Sequence, residues 1–516
     1  MKNNLQKNSK TIIILAIMAI LFILAATGMP TKDFIITSLR GLSTGSVTFL
    51  VAAGFSLIFG LMGVLNLALG TLYMIGAYVG WTVYIRTDTF IDLLTPVMLI
   101  LAGFTLSSFW EYLANRIQFK PKLTKFLAWV LIALGLLGIV FIFVQYPIAF
   151  WDLDNYALSP ITYSFMADQG APLPPIEVVY EDLSPFFALL GFLVGSALIA
   201  FGLALHKRRE NVYITITWRN FVLFAILVIT AALILIFNTP LTNFLVGLST
   251  NWLFLLAVIV AVITGLGLGS LIESTLIRPL YNRPIYQLML TLGIGTIGIE
   301  IVQAIWGRPE FVFPRPEFFK GTGEGCPATS LSGIFTNNCS TVMLLGGRVR
   351  VYDEIFIPLV GIFILITVWI LLRKTRFGMI IRAGVQDRQM VEALGINVRR
   401  IFTLVFALGV GLAAFGGVLS APSIGLSTRM GERLLLSALI ALAVGGLGNY
   451  PGAALGSLLV GLIQQFLIKY GQIGIPIPFT DIVFKPSPPI IPASTVLLMI
   501  VVLLILPSGL LGKKES

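Results

Sequence analysis

The sequence predicts an all-α, polytopic integral membrane protein that crosses the bilayer about fourteen times. Three observations predict it. Uncharged apolar runs of about 18 or more residues recur along the chain, and each is long enough to span the hydrocarbon core. Only 11% of the 516 residues are charged while 57% are hydrophobic, whereas a soluble domain carries about 25% charged residues. Segments of about ten residues with alternating polarity, which a transmembrane barrel requires, do not occur. The spans are therefore helices, because in lipid the backbone has to satisfy its own hydrogen bonds.

The first apolar run, Thr11–Met29, follows Lys2, Lys7 and Lys10. It is longer than the apolar region of a secretory signal and lacks a clean A-x-A site, so a retained helix is expected rather than a cleaved one. Ser43–Met62 and Asn66–Tyr84 come next, joined by Gly63, Val64 and Leu65. Ile91–Trp110, Phe126–Phe150, Pro185–Leu205, Phe221–Phe237 and Trp252–Ile272 follow. Tyr286–Trp306, Ile355–Leu372, Ile401–Ala421, Leu434–Leu447, Gly452–Ile468 and Ser494–Leu506 complete the set. Leu434–Leu447 is the weakest of these and suits a broken or re-entrant helix.

Charge orients the spans. With the N-terminus inside, the longer inside loops are Glu111–Lys125, His206–Asn220, Glu273–Pro284 and Arg373–Arg400, and the tail carries Lys513 and Lys514. Each bears Lys or Arg, as the positive-inside rule requires. No Lys or Arg lies between Lys125 and Lys207, an interval holding Asp152, Asp154, Asp168, Glu177, Glu181 and Asp182. Both termini are expected in the cytoplasm. Lys32, Arg40 and Arg86 in short outside loops, and Arg308, Arg315, Arg348 and Arg350 in a long one, run against the bias, which is a majority vote. The net charge of +11 follows from this loop bias. No basic stripe is interleaved with aromatics, so no nucleic acid partner is expected. With two cysteines and His206 as the sole histidine, neither a metal centre nor a Ser-His-Asp triad can be assembled. Cys326 and Cys339 share the outside loop Arg308–Glu354; in an oxidising compartment they are a disulfide candidate, with two free thiols as the alternative.

One stretch of mixed charge interrupts the apolar pattern: RAGVQDRQMVEALGINVRRIF, Arg382–Phe402. Asp387 can cap a short helix through its carboxylate, and Gly395 can end it in the left-handed position. Between them lie about two turns. Met390 and Leu394 are four apart and project together, with Val391 beside them, while Arg388, Gln389 and Glu392 point elsewhere. So short a helix is not stable alone. Either a soluble partner docks on it at the cytoplasmic surface, or it is a connector lying on the headgroups.

VEALGINVRRIFTLVFALG resembles the loop by which permease subunits of bacterial ABC importers dock on their ATPases. Four blocks extend the likeness, in order: Gly41–Gly80, Ile272–Gln303, Ile381–Pro422 and Ala441–Gln464, with the tail LPSGLLGKK. Together they resemble the permease subunit of the branched-chain amino acid ABC importer family. Family members are shorter, and the four spans between Arg86 and about Asn251 are extra; an even number leaves the topology of the core unchanged. The implied organisation is residues 1–85 as the first part of the permease core, 86–250 as an inserted transmembrane bundle and 251–516 as the remainder. About ten spans then belong to the core and four to the insertion.

The resemblance implies a multi-pass protein of a prokaryotic inner membrane. Its expected function is to move branched-chain or related small amino acids by ATP-driven alternating access, with no catalytic chemistry of its own. The coupling helix near 387–397 would use Asp387, Met390, Glu392, Ala393, Leu394, Gly395, Ile396 and Asn397. No G-x-x-x-x-G-K-[ST] occurs, so no cofactor is expected in this chain. ATP would sit on two partner ATPase subunits. A second related permease or a second copy of this chain, an extracytoplasmic substrate-binding protein and membrane lipid would complete the assembly. Leu69 and Thr71 depart from the family, whose members commonly carry a His and an acidic residue there. The cargo can differ accordingly, and relatives associated with urea and short amides leave it open.

Two segments echo each other: GVLNLALGTLYMIG (Gly63–Gly76) and GLGNYPGAALGSLLVG (Gly446–Gly461). Each places Asn three residues after Gly. Gly and Asn in mid-membrane permit broken helices whose backbone groups line a polar cavity; close helix packing by small residues is the alternative. Asn66, Gly70, Gly76, Gly446 and Gly448 are thus candidate translocation residues, Asn66 above all because an unpaired amide in lipid is costly. Glu300 joins them as an intramembrane carboxylate that can meet a substrate ammonium or pair with an arginine. A stand-alone secondary transporter or channel for a small polar solute is the rival class. It would want ionisable pairs in mid-membrane, and Glu300 alone is thin support.

Overall fold

The lengths of the apolar runs set the architecture. The computed structural model describes residues 22–23, 26–116, 120–145, 165–166, 168–170, 185–206, 218–281, 283–386, 388–476 and 483–512. Among them ten helices are long and apolar enough to cross a membrane, and Leu69–Ile85 and Ile490–Ile505 are shorter apolar helices. The chain is an all-α, multi-pass membrane protein. Most of the expected first span, the acidic residues Asp152, Asp154, Glu177, Glu181 and Asp182, Asp387 and the tail lysines Lys513 and Lys514 lie outside the described residues.

The chain divides into two compact units, Met1–Trp81 with Thr250–Ser516, and Thr82–Ser249. The first unit opens with α1 (Thr31–Met62) and α2 (Leu69–Ile85), the second of which runs on past Trp81. Lys32 and Arg40, expected in a short outside loop, lie inside α1. A reading by hydropathy clips the helix at these charges, but Arg40 Nε is 2.7 Å from the Glu354 carboxylate and needs no loop to carry it.

The second unit contains α3 (Thr87–Thr105), α4 (Ser107–Arg116), α5 (Pro121–Gln145), α6 (Pro185–His206), α7 (Trp218–Ile236) and α8 (Asn238–Val246). Polar contacts tie its own elements together. Arg86 grips Asp88 through two bonds of 3.0 and 2.5 Å, and Asn238 Nδ2 donates to Asp92 at 2.7 Å. Small residues bring its helices together: a Cβ on Gly103 would lie 2.6 Å from Ser196 Cβ.

The first unit resumes with α9 (Thr250–Ile272), followed by a π turn, Glu273–Ile277, and a 3₁₀ turn, Arg278–Leu280. Next come α10 (Pro284–Trp306), a long loop holding α11 (Leu331–Asn337), and the antiparallel pair β1 (Thr341–Leu344) and β2 (Gly347–Arg350), with Thr341 opposite Arg350. Cys326 and Cys339 are disulfide-bonded within this loop. After a π turn, Val351–Phe356, come α12 (Ile357–Lys374), α13 (Arg376–Gln386), α14 (Arg388–Ala393), α15 (Val398–Ile424), α16 (Met430–Gly445), α17 (Tyr450–Ile473) and α18 (Ile490–Ile505).

The core of this unit is built on close backbone approach. In lipid, packing rather than hydrophobic burial draws helices together, and small residues let them touch. A Cβ on Gly45 of α1 would sit 3.0 Å from Leu458 Cα of α17, and one on Gly269 of α9 would sit 2.9 Å from Ala407 Cα of α15. α15 buries most of its length, from Val398 to Pro422.

Candidate functional site

The two echoed segments fold alike. Gly63 ends α1 in the left-handed region (φ +65) and donates its N–H to Phe59 O at 2.9 Å; Asn66 Oδ1 then accepts from Ala68 N at 3.1 Å, and α2 begins. Gly446 (φ +111) ends α16 and donates to Leu442 O at 2.8 Å; Asn449 Oδ1 accepts from Gly452 N at 3.4 Å, and α17 begins. Gly-x-x-Asn is therefore a helix stop followed by a helix start in both places. The two breaks touch: a Cβ on Gly60, in the last turn of α1, would lie 2.9 Å from Gly448 O.

A break leaves backbone groups open, and each break is served from a distant element. At the first, the Thr291 hydroxyl of α10 accepts from Leu67 N and faces Leu65 O, both at 3.3 Å. At the second, the segment 506–512 folds back. Leu510 N donates to Val444 O at 2.9 Å, Leu511 N donates to Gly445 O at 3.0 Å, and Leu511 O accepts from Asn449 Nδ2 at 2.6 Å. Asn66 is buried, at 1% exposure, and its Nδ2 has no hydrogen-bond partner among the described residues.

The other translocation candidates separate. A Cβ on Gly76 would be 2.5 Å from Ala414 Cα, and one on Gly70 would be 2.9 Å from Leu435 Cβ, so these two positions serve close helix packing. Glu300 is exposed, while the buried residues of α10 are Gln287, Thr291, Gly295, Gly298 and Val302. Thr291 and Glu300 are about two and a half turns apart and so face opposite ways. The polar side chain that α10 turns to the break is Thr291.

α14 closes with a tight C-terminal motif. Ile396 N donates to Val391 O at 3.3 Å, Gly395 N donates to Glu392 O at 3.0 Å, and Gly395 takes φ +80. This 6→1 and 5→2 pairing brings the residue after the glycine back onto the helix, and Ile396 indeed packs against the cluster of Val391, Val398 and Phe402. Met390 and Leu394, expected to project together, do so, and Val391 beside them turns the other way. Val391 is 3% exposed and packs on Val398 and Phe402, whereas Met390 is 61% exposed and Leu394 72%. Glu392, Ala393 and Gly395 are exposed too. Asn397 acts locally, its Oδ1 accepting from Arg400 N at 3.2 Å to cap α15. Met62, the last residue of α1 before the first break, packs on the same Val391–Val398–Phe402 cluster.

A polar cluster that sequence reasoning missed lies beside it. Glu273 is fully buried. Its carboxylate accepts from Arg278 Nη2 at 2.8 Å, from Thr403 Oγ1 at 2.6 Å and from the Tyr281 hydroxyl. The Tyr281 ring stands edge-on to Phe402, centroids 5.8 Å apart. The signal available in the sequence was an acid ending an uncharged run, with Arg five residues later.

Comparison with known proteins adds an independent line. The family described as branched-chain amino acid transport system / permease component matches residues 241–507. The high-affinity branched-chain amino acid transport system permease protein LivH of Escherichia coli (strain K12) is 26% identical over 274 residues, 52% of this chain and 79% of that protein. The corresponding protein BraD of Pseudomonas aeruginosa is 30% identical over the same shares. The galactose/methyl galactoside import permease protein MglC of Haemophilus influenzae is 30% identical over 157 residues, 30% of this chain and 46% of that protein. No solved structure matches the chain.

Proposed function

Because the chain belongs to the family of branched-chain amino acid transport system permease components, we propose that it is the membrane-spanning permease of an ABC importer. Its cargo is branched-chain or related small amino acids, moved by ATP-driven alternating access. Two ATPase subunits, a second permease or a second copy, and an extracytoplasmic substrate-binding protein complete the assembly. The observation that carries this reading is the divided face of α14. Val391 fixes the helix to its own chain, leaving Met390 and Leu394 outward for a soluble partner, and the cluster beneath it reaches Met62 at the first break. A push on α14 thus arrives at a helix break without crossing empty space. The chain stabilises no transition state; it biases two conformations that the partners favour unequally.

Asn66, Gly446 and Gly448 are the translocation residues of this reading. Asn66 offers an uncommitted Nδ2 donor at the break, suited to a carbonyl or carboxylate of the cargo. Thr71 is less available, since its hydroxyl donates to Gly295 O at 3.1 Å. Glu300 is exposed on α10, on the side away from the break, and joins the pathway in this reading only where the second permease covers it.

The test is to purify the tagged chain from its native membrane in mild detergent and identify what accompanies it by mass spectrometry. The control carries Glu392→Arg and Leu394→Asp. ATPase subunits are expected with the native chain and absent from the control. A native chain that emerges alone would refute the importer reading and leave a stand-alone carrier as the function to test.

A further inference from the structure

We infer that Glu273 is a positioning residue of the coupling apparatus: it locks the inner end of α9 to the second turn of α15, so that a push received at α14 moves both helices as one body. The inference rests on the coupling reading of α14 above. A carboxylate with no solvent exposure persists only where donors replace water, and at Glu273 those donors come from two separate elements. Arg278 and Tyr281 belong to the turns that follow α9, and Thr403 belongs to α15. Arg278 Nη2 also donates to Thr403 Oγ1 at 2.7 Å, which closes a ring of contacts across the joint.

Three further features point the same way. The helical ladder widens into a π turn at Glu273–Ile277, where the carboxylate turns inward; such turns concentrate at functional positions. Farther along, the α9–α15 contact brings Gly265 and Gly269 against Ala407, Val410, Gly411 and Ala414, with Leu266 over Gly411. Such apolar contacts give close approach without direction, which the polar joint supplies. Finally, Tyr281 packs on Phe402, which shares one apolar cluster with Val391 of α14. The path from Val391 through Phe402 and Tyr281 to Glu273 returns to α15 at Thr403.

The test uses the complex reconstituted in lipid nanodiscs with its ATPase partners. Spin labels are placed at Thr275→Cys and Arg399→Cys, both exposed positions; the native cysteines are bonded to each other and leave no background thiol. Distances are compared between the nucleotide-free and the ATP–vanadate-trapped states. With Glu273 in place the distance is expected to stay the same in both. In Glu273→Gln it is expected to shift by about 5 Å, one helical pitch, on trapping. ATP hydrolysis should continue within about twofold, because the contact with the partner is intact. Thr403→Val keeps the Glu273–Arg278 pair and removes only the tie to α15. It is expected to reproduce the shift, and it decides the matter if Glu273→Gln does not reach the membrane. An unchanged distance in either variant, in a preparation that retains the ATPase, overturns the inference. An ATPase missing from the parent preparation overturns the coupling reading itself, and shows on a gel before any distance is measured.

Discussion

Leu394 directly follows a helix of six and stands three residues after Val391, yet Val391 is buried and Leu394 is among the more exposed apolar side chains of the described residues. Substitutions should separate their roles. Val391→Ala removes roughly two methylene equivalents of burial, about 1.5 kcal/mol at 0.8 per group. The expected outcome is faster amide hydrogen exchange through 388–396 with the partner still bound. Leu394→Asp should leave that exchange unchanged and abolish co-purification of the partner. At the first break, Thr291→Val keeps the shape of the side chain but orphans the Leu67 N–H, which costs about 1–3 kcal/mol; a lower melting temperature in detergent is the expected reading. Asn66→Ser keeps an acceptor for Ala68 N and should melt like the parent. It should lower uptake of labelled leucine about tenfold, the worth of one hydrogen bond of ~1.4 kcal/mol. Unimpaired uptake would remove Asn66 from the pathway.

At the scale of elements, the second break and the segment 506–512 behave as one structure. Gly446 has φ +111, and a Cβ there would lie 2.6 Å from Gly512 N and 2.8 Å from Gly512 Cα. Gly446→Ala should therefore expel the segment, and deleting 507–512 should give the same loss of thermal stability. The two changes together should cost no more than either alone, because both remove one interaction; additive losses would show that the segment and the break are independent. This comparison also marks how far the sequence could be read. Gly63, Asn66, Gly446 and Asn449 were legible because helix stops and starts are local chemistry. Their partners were not, since Thr291 and Leu510 are remote in the chain and carry no local signature. Glu300 is a different case. Composition singles out a carboxylate in a span, but helix phase decides which way it points, and the phase of α10 became clear only once Thr291, Gly295 and Gly298 were seen packed on one face. Glu273 was hidden by its position at the end of a run, where a charge passes for a loop residue.

On the scale of the whole molecule, the chain is a multi-pass cell-membrane protein whose apolar runs already gave its class and most of its helices. Span limits moved mainly where a charge sits inside a helix, as at Arg40. The charge bias assigns the disulfide loop to the outside and the Glu273 turn to the inside. After mild reduction of intact cells, a membrane-impermeant maleimide should label Cys326 and Cys339 and spare Thr275→Cys; the reverse pattern would invert the orientation.

α15 is gripped near both extremities. Thr403 is bound to Glu273 at one, and at the other Ser423 Oγ donates to Asp353 at 2.5 Å while Leu419 O accepts from the Tyr352 hydroxyl at 2.7 Å. The grips are about 30 Å apart along the axis. A seesaw of that length, tilted by about 15°, carries each extremity roughly 4 Å, and a hydrogen bond is lost beyond about 3.5 Å. The helix therefore cannot rock with both grips closed. In the proposed transport cycle, if Glu273 holds, each stroke must open the Asp353 grip, and the outer face yields the slack that the inner face refuses.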